Sequence, residues 1–388
     1  MPQLSVPAVY VRGGTSRALV FRAQDLPEDA RLRDAIILAA LGSPDPNKRQ
    51  LDGLGGAISS LSKVAIVAPA SRPDADVDYT FGQVAIDAPI VGYRGNCGNI
   101  SAAIGPFAVD EGMVATTGDT ARVRIHNTNT GKIIVSDFPL QDGRAAVDGD
   151  FELPGVAGTG APVRLSFLDP GGAVTGRLLP TGAPVERLDL PGFGAIAVSL
   201  VDAANPVVFV AADTLGLDGT ERPSDLEQDA GLMKAFEDLR VAAALRMGIA
   251  ADEDEARRRV RNLPQVGIVS RPATARTASG GTICADDVHI TTRMISAGQP
   301  HRASPLTGAM CLAVAMRIAG TLPHGLARPS DEGRDMIIGH PSGTLPVAAR
   351  VTNGPEPHAR EAVVYRTSRR LMEGRVLVPR SALGRADT

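Results

Sequence analysis

A chain of 388 residues with a net charge of −3 is long enough for two domains and has no excess of either charge. Hydrophobic residues make up 44% and aromatic residues only 3%, so the core must consist of small aliphatic side chains. The sequence has no basic stripe that would indicate nucleic-acid binding. None of its apolar runs reaches the roughly 18 residues of a membrane span. The three cysteines, Cys97, Cys284 and Cys311, predict neither a disulfide framework nor a metal site. With no leader pattern at Met1, we expect a soluble cytoplasmic protein.

The first elements surround a glycine-rich turn. Apolar residues on both sides of Arg12-Gly13-Gly14-Thr15-Ser16 predict two strands joined by this turn. Its backbone N–H groups and hydroxyls could hold an anion, although a plain hairpin connection explains the pattern equally well. Residues 29–41 then carry apolar side chains at helical spacing, and this helix is expected to end at Gly42.

A lysine follows the second glycine-rich turn, Asp52-Gly53-Leu54-Gly55-Gly56. Lys63 stands at the entrance of the apolar strand pattern of residues 64–68. It is either a solvated charge at a strand end or an amine withdrawn into a pocket, where it could serve as a general base. The residue alone favours the solvated interpretation, whereas the neighbouring glycines and serines, including Ser60 and Ser62, are more typical of a binding site.

A cysteine at the start of a helix of small residues is the most distinctive feature of the first half. The turn Gly95-Asn96-Cys97-Gly98-Asn99 leads into the thin apolar pattern of residues 100–107. A helix N-terminus presents free N–H groups and a partial positive charge, so it can bind a carboxylate and activate a thiol. A buried structural cysteine is the alternative. The asparagine and glycine neighbours on both sides favour a functional role.

The second half predicts a similar arrangement. A turn rich in glycine, serine and threonine, which contains Ser296 and His301, leads to Thr307-Gly308 and a second helix of small residues. The two small-residue helices predict two related domains, residues 1–183 and 184–388, with final strands that can return to the first. The other predicted elements are strands at 185–190, 195–202, 207–211, 266–269, 287–294, 345–351, 362–368 and 374–378 and a long amphipathic helix at 225–248.

An ordered set of short motifs resembles the PrpF family, and it covers the chain from about residue 8 to about residue 380. The resemblance implies a diaminopimelate-epimerase-like fold of the α/β (α+β) class. In that fold, two pseudo-symmetric domains each wrap a curled, mostly antiparallel sheet around a central helix, and the active site lies in the cleft between them. The motifs are Arg12-Gly13-Gly14-Thr15-Ser16, Asp52-Gly53-Leu54-Gly55-Gly56, Ser62-Lys63, Asn96-Cys97-Gly98-Asn99, Gly105-Pro106-Phe107 and Gly339-His340-Pro341-Ser342-Gly343-Thr344.

The resemblance also implies the chemistry. The family isomerises unsaturated di- and tricarboxylates such as 2-methylaconitate, methylitaconate and 4-oxalomesaconate, without a metal or other cofactor. Its acid–base lysine and cysteine match Lys63 and Cys97, which would handle the proton. The residues expected to meet the substrate carboxylates are Ser16, Ser60, Ser62, Asn96, Gly98, Asn99, Ser296, His301, Thr307 and Gly308.

One difference from the wider superfamily narrows the set of possible reactions. Its epimerases and racemases carry a second cysteine before the second helix, where this chain has Ser304-Pro305-Leu306. A symmetric two-thiol racemase is therefore not expected. The sequence favours a 2-methylaconitate cis-trans isomerase, with a 1,3-allylic Δ-isomerase or tautomerase as an alternative. A non-catalytic accessory protein to an aconitase-like enzyme is the alternative of another class.

The expected partner is a small carboxylate, not a nucleic acid or a membrane, and a homo-oligomer is left open.

Overall fold

The computed structural model describes residues 3–93, 96–296, 298–331 and 333–387. The chain divides into two units, the first formed by Met1–Leu165 and Tyr365–Thr388 and the second by Ser166–Val364. The predicted domain boundary at 183/184 lies later in the chain than this division, which places residues 166–183 in the second unit. No helix in the described ranges has the length and apolar character needed to cross a membrane.

Twenty-two strands and seven helices follow one another in the described residues. The first unit contains β1 (Gln3–Gly13), β2 (Ser16–Arg22), α1 (Ala30–Leu41), β3 (Lys63–Pro69), β4 (Val77–Val84), β5 (Val91–Gly92), α2 (Gly98–Asp110), β6 (Thr120–Asn127), β7 (Lys132–Gln141), β8 (Arg144–Ala145), β9 (Phe151–Glu152) and β10 (Thr159–Gly160). The unit boundary falls within β11 (Pro162–Leu168). The second unit contains β12 (Glu186–Leu190), β13 (Gly194–Ala203), β14 (Asn205–Ala211), α3 (Pro223–Gln228), α4 (Ala230–Arg246), α5 (Glu253–Arg258), β15 (Gln265–Ser270), β16 (Ala275–Arg276), β17 (Thr282–Ile283), β18 (Ile290–Ser296), β19 (Gln299–Pro300), α6 (Leu306–Ala315), α7 (Leu322–Leu326), β20 (Met336–His340) and β21 (Gly343–Thr352). The boundary is crossed again within β22 (His358–Pro379).

The sheet of the first unit runs in the order β22, β1, β2, β3, β4, β6, β7. The β2/β3 and β4/β6 pairs are parallel, and the other neighbours are antiparallel. Helix α2 is buried along almost its whole length, which its small side chains permit. A Cβ added at Gly105 would lie 2.7 Å from Ser136 Oγ, so this glycine lets the helix lie directly against β7.

The second unit repeats this topology. Its sheet runs β12, β13, β14, β15, β18, β20, β21, with parallel pairs at the same two places, β14/β15 and β18/β20. The buried helix α6 follows the short strand β19, as α2 follows β5. The predicted architectural repeat is therefore confirmed, although the two halves share few residues. Gln265, the first residue of β15, holds the same topological position as Lys63, the first residue of β3.

Several predicted boundaries were wrong for local reasons. The helix predicted over 225–248 is two helices, because the Asp229 side chain accepts a hydrogen bond from the Leu232 N–H and caps a new helix. The strand predicted from residue 287 begins at Ile290, since Ala285–Asp287 forms a 3-10 turn. The two last predicted strands are one continuous strand, β22, and β20 was not predicted.

Candidate active site

The first glycine-rich turn packs directly onto the start of α2. A Cβ at Gly13 would lie 2.5 Å from the Asn99 carbonyl oxygen, and one at Gly14 would lie 2.2 Å from Asn99 Oδ1. Gly14 also has a φ of +50°, which favours glycine. The Asn99 amide donates to Thr15 Oγ1 over 3.2 Å. The turn is therefore more than a hairpin connection, because it fixes the first residues of the central helix.

This packing predicts a stability difference between two glycine variants. Gly14→Ala should lower the free energy of unfolding by about 1–3 kcal/mol more than Gly112→Ala, since both residues have a left-handed backbone but only Gly14 lacks room for a Cβ. Chemical denaturation of both variants tests this. Catalytic activity should fall in Gly14→Ala alone. Equal destabilisation of the two variants would contradict the close contact.

Lys63 is buried, with 8% of its surface exposed, so the solvated interpretation of this residue was wrong. Its Nζ donates to Gln83 Oε1 over 2.5 Å and lies 5.2 Å from the centre of the Phe81 ring. It has no acidic partner within the ranges that the structure describes. A buried amine held only by a neutral acceptor can exchange a proton with a ligand, because no carboxylate holds it as a permanent ion pair.

A buried amide network supports this lysine, and the sequence did not reveal it. Gln83 Nε2 donates to the carbonyl oxygens of Ser59 and Ser62, so that Gln83 Oε1 is turned towards Lys63. Ser62 Oγ accepts from Gln50 Nε2 and donates to the Val84 carbonyl. The fully buried Ser62 hydroxyl is therefore engaged inside the unit.

The second glycine-rich turn makes room for this network. A Cβ at Gly55 would lie 2.3 Å from Gln50 Cδ, and one at Gly53 would lie 2.1 Å from the Gly42 nitrogen. The predicted site residue Ser60 is half-buried and lies in the 3-10 turn Ser59–Leu61. The turn thus builds the scaffold that holds Lys63 at the head of β3.

Cys97 is the N-cap of α2, as the sequence predicted, and is half-buried. Its side chain does not cap the helix, so the first N–H groups of α2, at Gly98 and Asn99, have no side-chain cap in the described part of the chain. Gly95, the first residue of the predicted turn, lies outside the described residues. By contrast, Asp29, Asp229, Asp252 and Thr321 accept hydrogen bonds from the first turns of α1, α4, α5 and α7.

Neighbouring polar side chains fix the position of Cys97. The Cys97 carbonyl accepts from the Ser101 N–H and hydroxyl, and Asn96 Oδ1 accepts from Asn127 Nδ2 over 2.8 Å. Tyr79 is the β4 residue that pairs with Asn127. Burial raises the pKa of the Tyr79 phenol well above its usual value, and its electrostatic interaction with Cys97 acts in the same direction, so this hydroxyl stays neutral.

Arg366 is a buried cation at the same place, and sequence reasoning missed this residue. Only 5% of its surface is exposed, and its Nε donates to Asn99 Oδ1 over 3.1 Å while Nη1 donates to the Tyr365 carbonyl. Burial lowers the pKa of Arg366 to about 10, whereas the charge of Cys97 acts in the opposite direction. The guanidinium therefore remains charged at neutral pH. Ser16, also predicted, is buried at the end of the glycine turn, opposite Gly13.

The predicted residues of the second unit cluster around β18 and α6. Ser296 pairs with Gln299, and the His301 N–H donates to the Met294 carbonyl, so both lie on the β18/β19 hairpin. Burial lowers the pKa of His301, which favours the neutral imidazole. Gly308, which follows Thr307 in α6, packs against Met294, since a Cβ there would lie 2.6 Å from Met294 Cε.

Gln265 was not predicted, although it holds the topological position of Lys63. It is buried at 6% exposure, and its Oε1 has no hydrogen-bond partner in the described residues. A Cβ at Gly308 would lie 2.6 Å from this oxygen, which places the amide against the start of α6. Like α2, α6 has no side-chain N-cap in this part of the structure. A neutral amide therefore stands where the first unit has its amine.

The remaining thiols do not form a second reactive centre. Cys311 is fully buried inside α6, where its Sγ lies 3.4 Å from the Val201 carbonyl oxygen, and burial raises the pKa of this thiol. Cys284 is exposed at the start of a 3-10 turn. Among the described residues, no group of three or more His, Cys, Asp and Glu side chains could hold a metal ion.

The repeated topology with one buried helix in each unit defines a chain of the diaminopimelate-epimerase-like fold class. A crystal structure of a hydroxyproline epimerase from Agrobacterium vitis shares this fold at 14% identity, with a TM-score of 0.51 over 97% of this chain and 93% of that chain. A crystal structure of methylitaconate-delta-isomerase is much more similar, with 41% identity and a TM-score of 0.93 over 99% of this chain and 98% of that chain.

The family itself follows from the sequence comparisons. The model of the family described as PrpF protein matches residues 3–379. A 3-methylitaconate isomerase from Eubacterium barkeri is 42% identical over 98% of this chain and 99% of that protein. A 2-methyl-aconitate isomerase from Cupriavidus necator is 41% identical over the same shares of the two chains. This chain belongs to the PrpF family.

Proposed function

We propose that this chain is a cofactor-independent isomerase of unsaturated di- or tricarboxylates, most similar in activity to a 2-methylaconitate cis-trans isomerase. The observation that carries the proposal is the placement along β4 of Lys63 and of the turn with Cys97, the two residues that we propose to carry the proton. Tyr79, Phe81 and Gln83 alternate with the other residues of β4 and so project from one face. Lys63 lies beside Phe81 and Gln83, and Tyr79 is linked to the Cys97 turn through its strand partner Asn127, which donates to Asn96.

The placement of these groups along β4 suits a small substrate. Lys63 Nζ lies 5.2 Å from the centre of the Phe81 ring, and Phe81 is the next residue after Tyr79 on the same face of the strand, so in our proposal the amine and the thiol act on one six-carbon acid. In our proposal Lys63 Nζ takes a proton from the carbon next to the conjugated system, which breaks the C–H bond. The electron pair delocalises onto a carboxylate held by the free N–H groups of α2.

Return of the proton decides the product. When a proton returns to the original carbon after rotation of the delocalised intermediate, the double bond changes from cis to trans. When the Cys97 thiol gives its proton to the far carbon, a new C–H bond forms there and the double bond shifts by one position. The same residues serve both outcomes. The relative named 3-methylitaconate isomerase therefore supports an allylic Δ-isomerase as the second candidate.

Incubation with substrates in deuterated water tests the proposal. We expect 2-methylaconitate to isomerise and to incorporate deuterium, as followed by proton NMR, with methylitaconate and 4-oxalomesaconate as the competing substrates. A faster reaction of methylitaconate would favour the second candidate. No isomerisation and no deuterium exchange with any of the three acids would contradict the enzyme proposal and favour an accessory role.

The same substrates indicate where the protein acts and which partners it has. We propose a cytoplasmic enzyme that acts on free carboxylates, with no nucleic-acid partner. This rests on the near-neutral net charge of −3 and on the small, charged molecules named for the relatives. Homo-oligomerisation remains a separate proposal.

A further inference from the structure

We propose that Arg366 is a substrate-binding residue, and that its guanidinium holds one substrate carboxylate at the N-terminus of α2. This inference rests on the proposed function for the class of ligand, since it requires a carboxylate substrate. The motifs that predicted the other site residues do not include this arginine, which lies near the end of the chain.

The first argument is the missing counter-charge. Burying a charged group is costly unless it is paired, yet Arg366 forms no ion pair with a carboxylate in the described part of the chain. Its two hydrogen bonds go to neutral oxygens, Asn99 Oδ1 and the Tyr365 carbonyl. Other arginines of the same unit, Arg22 and Arg370, both pair with Glu111. Arg366 is thus a buried cation with no carboxylate partner in the described ranges, and the Cys97 thiol is the titratable group that acts on it.

The second argument is donor geometry. A guanidinium has five N–H donors. The described hydrogen bonds of Arg366 use the Nε donor and one N–H of Nη1, and none of these bonds involves Nη2. Two neighbouring N–H donors of a guanidinium match the two oxygens of a carboxylate. Asn99 orients the guanidinium, because its Oδ1 accepts a hydrogen bond from Arg366 Nε while its amide nitrogen donates to Thr15.

The third argument is the uncapped helix beside the arginine. Asn99 is the second residue of α2, so the guanidinium lies at the same helix end where, among the described residues, no side chain caps the first N–H groups. A carboxylate there would accept from the guanidinium and from the helix N-terminus together. The tight fit of Gly13 and Gly14 against Asn99 keeps this end of the helix in place.

Titration of the protein with aconitate, followed by calorimetry, tests the proposal. Arg366→Gln should raise the Kd for aconitate by about 10- to 100-fold, the range for a lost charged hydrogen bond. Arg375→Gln is the matched control. It removes the same charge from the same strand, but at an exposed position, where Arg375 contacts Ser5, and its Kd should equal that of the unchanged protein.

Dicarboxylate analogues make the assignment specific. Three analogues of aconitate, each lacking a different carboxylate, are titrated against the unchanged protein and Arg366→Gln. One of the three should bind both proteins equally well, because it lacks the carboxylate that Arg366 holds. A penalty that persists with all three would overturn the proposal. If Arg366→Gln does not fold, Arg366→Lys keeps the charge without the fork and should still weaken aconitate binding measurably.

The outcomes separate this inference from the proposed function. If the unchanged protein binds none of these acids, the proposed substrate class fails and the Arg366 assignment fails with it. If it binds aconitate and Arg366→Gln binds equally tightly, only the Arg366 assignment is overturned. In that case a changed pH profile of Cys97 alkylation, measured in a Cys284→Ser background, would identify Arg366 as the counter-ion of a thiolate.

Discussion

Replacing Lys63 with methionine is expected to lower kcat by about 10³-fold while the protein stays folded. The expected loss lies within the range for removal of a general acid or base. Methionine fills the space of the buried lysine stem but cannot take a proton, and the neutral partner Gln83 loses no counter-charge. Steady-state kinetics with 2-methylaconitate and methylitaconate measure the effect, and circular dichroism checks the fold.

Two controls make the Lys63 result specific. Lys234→Met removes an exposed lysine whose partner is Asp238 one helical turn away, and it should leave kcat unchanged. Deuterium exchange into the substrate should disappear together with turnover in Lys63→Met, because exchange requires removal of the proton. A variant that no longer isomerises but still exchanges would show that another group removes the proton, and it would contradict the assignment.

The sequence predicted the elements around the site better than the contacts within it. The turn at Gly13-Gly14, the helix after Cys97 and the second helix after Thr307 were predicted because local residue types determine turns and thin helices. The same local signals predicted a repeat, since each half has a small-residue helix after a short strand. Neither the parallel pairs nor the strand order could be predicted, because they depend on contacts between distant segments.

The burial of Lys63 shows where local reasoning failed. The residue alone favoured a solvated charge, but Gln83, twenty residues further along, supplies its neutral partner across the β3/β4 pair. Arg366 is 267 residues from Asn99, the side chain that it contacts, and its own neighbourhood in the sequence is an ordinary strand pattern. The burial of an arginine in such a strand pattern can be recognised only when its surroundings are known.

The topological equivalence of Gln265 and Lys63 gives physical support for an asymmetric reaction. Each residue begins the fourth strand of its unit's sheet, which pairs in parallel with the third strand, and both residues are buried. An amide cannot carry a proton at neutral pH, so only the first unit offers a proton carrier at this position. Together with the inert Cys311, this difference disfavours a symmetric two-base mechanism and favours the half-buried Cys97 at the start of α2 as the thiol that acts with the lysine.

Cys97→Ser is expected to lower the rate of the double-bond shift by about 10²-fold or more, since a hydroxyl is a much weaker proton donor than a thiol. Serine is close in size and can still occupy the N-cap of α2, so the helix should remain in place. The measurement is the rate of 1,3-isomerisation of methylitaconate, compared with Cys284→Ser, which replaces an exposed thiol and should have no effect.

Deuterium exchange distinguishes a proton-donating Cys97 from one that only shapes the turn. If the thiol delivers the proton, Cys97→Ser should still exchange the proton that Lys63 removes, while the product with the shifted double bond accumulates slowly. If the thiol only shapes the turn, exchange and isomerisation should change by the same factor, because substrate positioning affects both steps alike. Near-normal rates of both would contradict a catalytic thiol, and the returning proton would then have to come from Lys63 or from water.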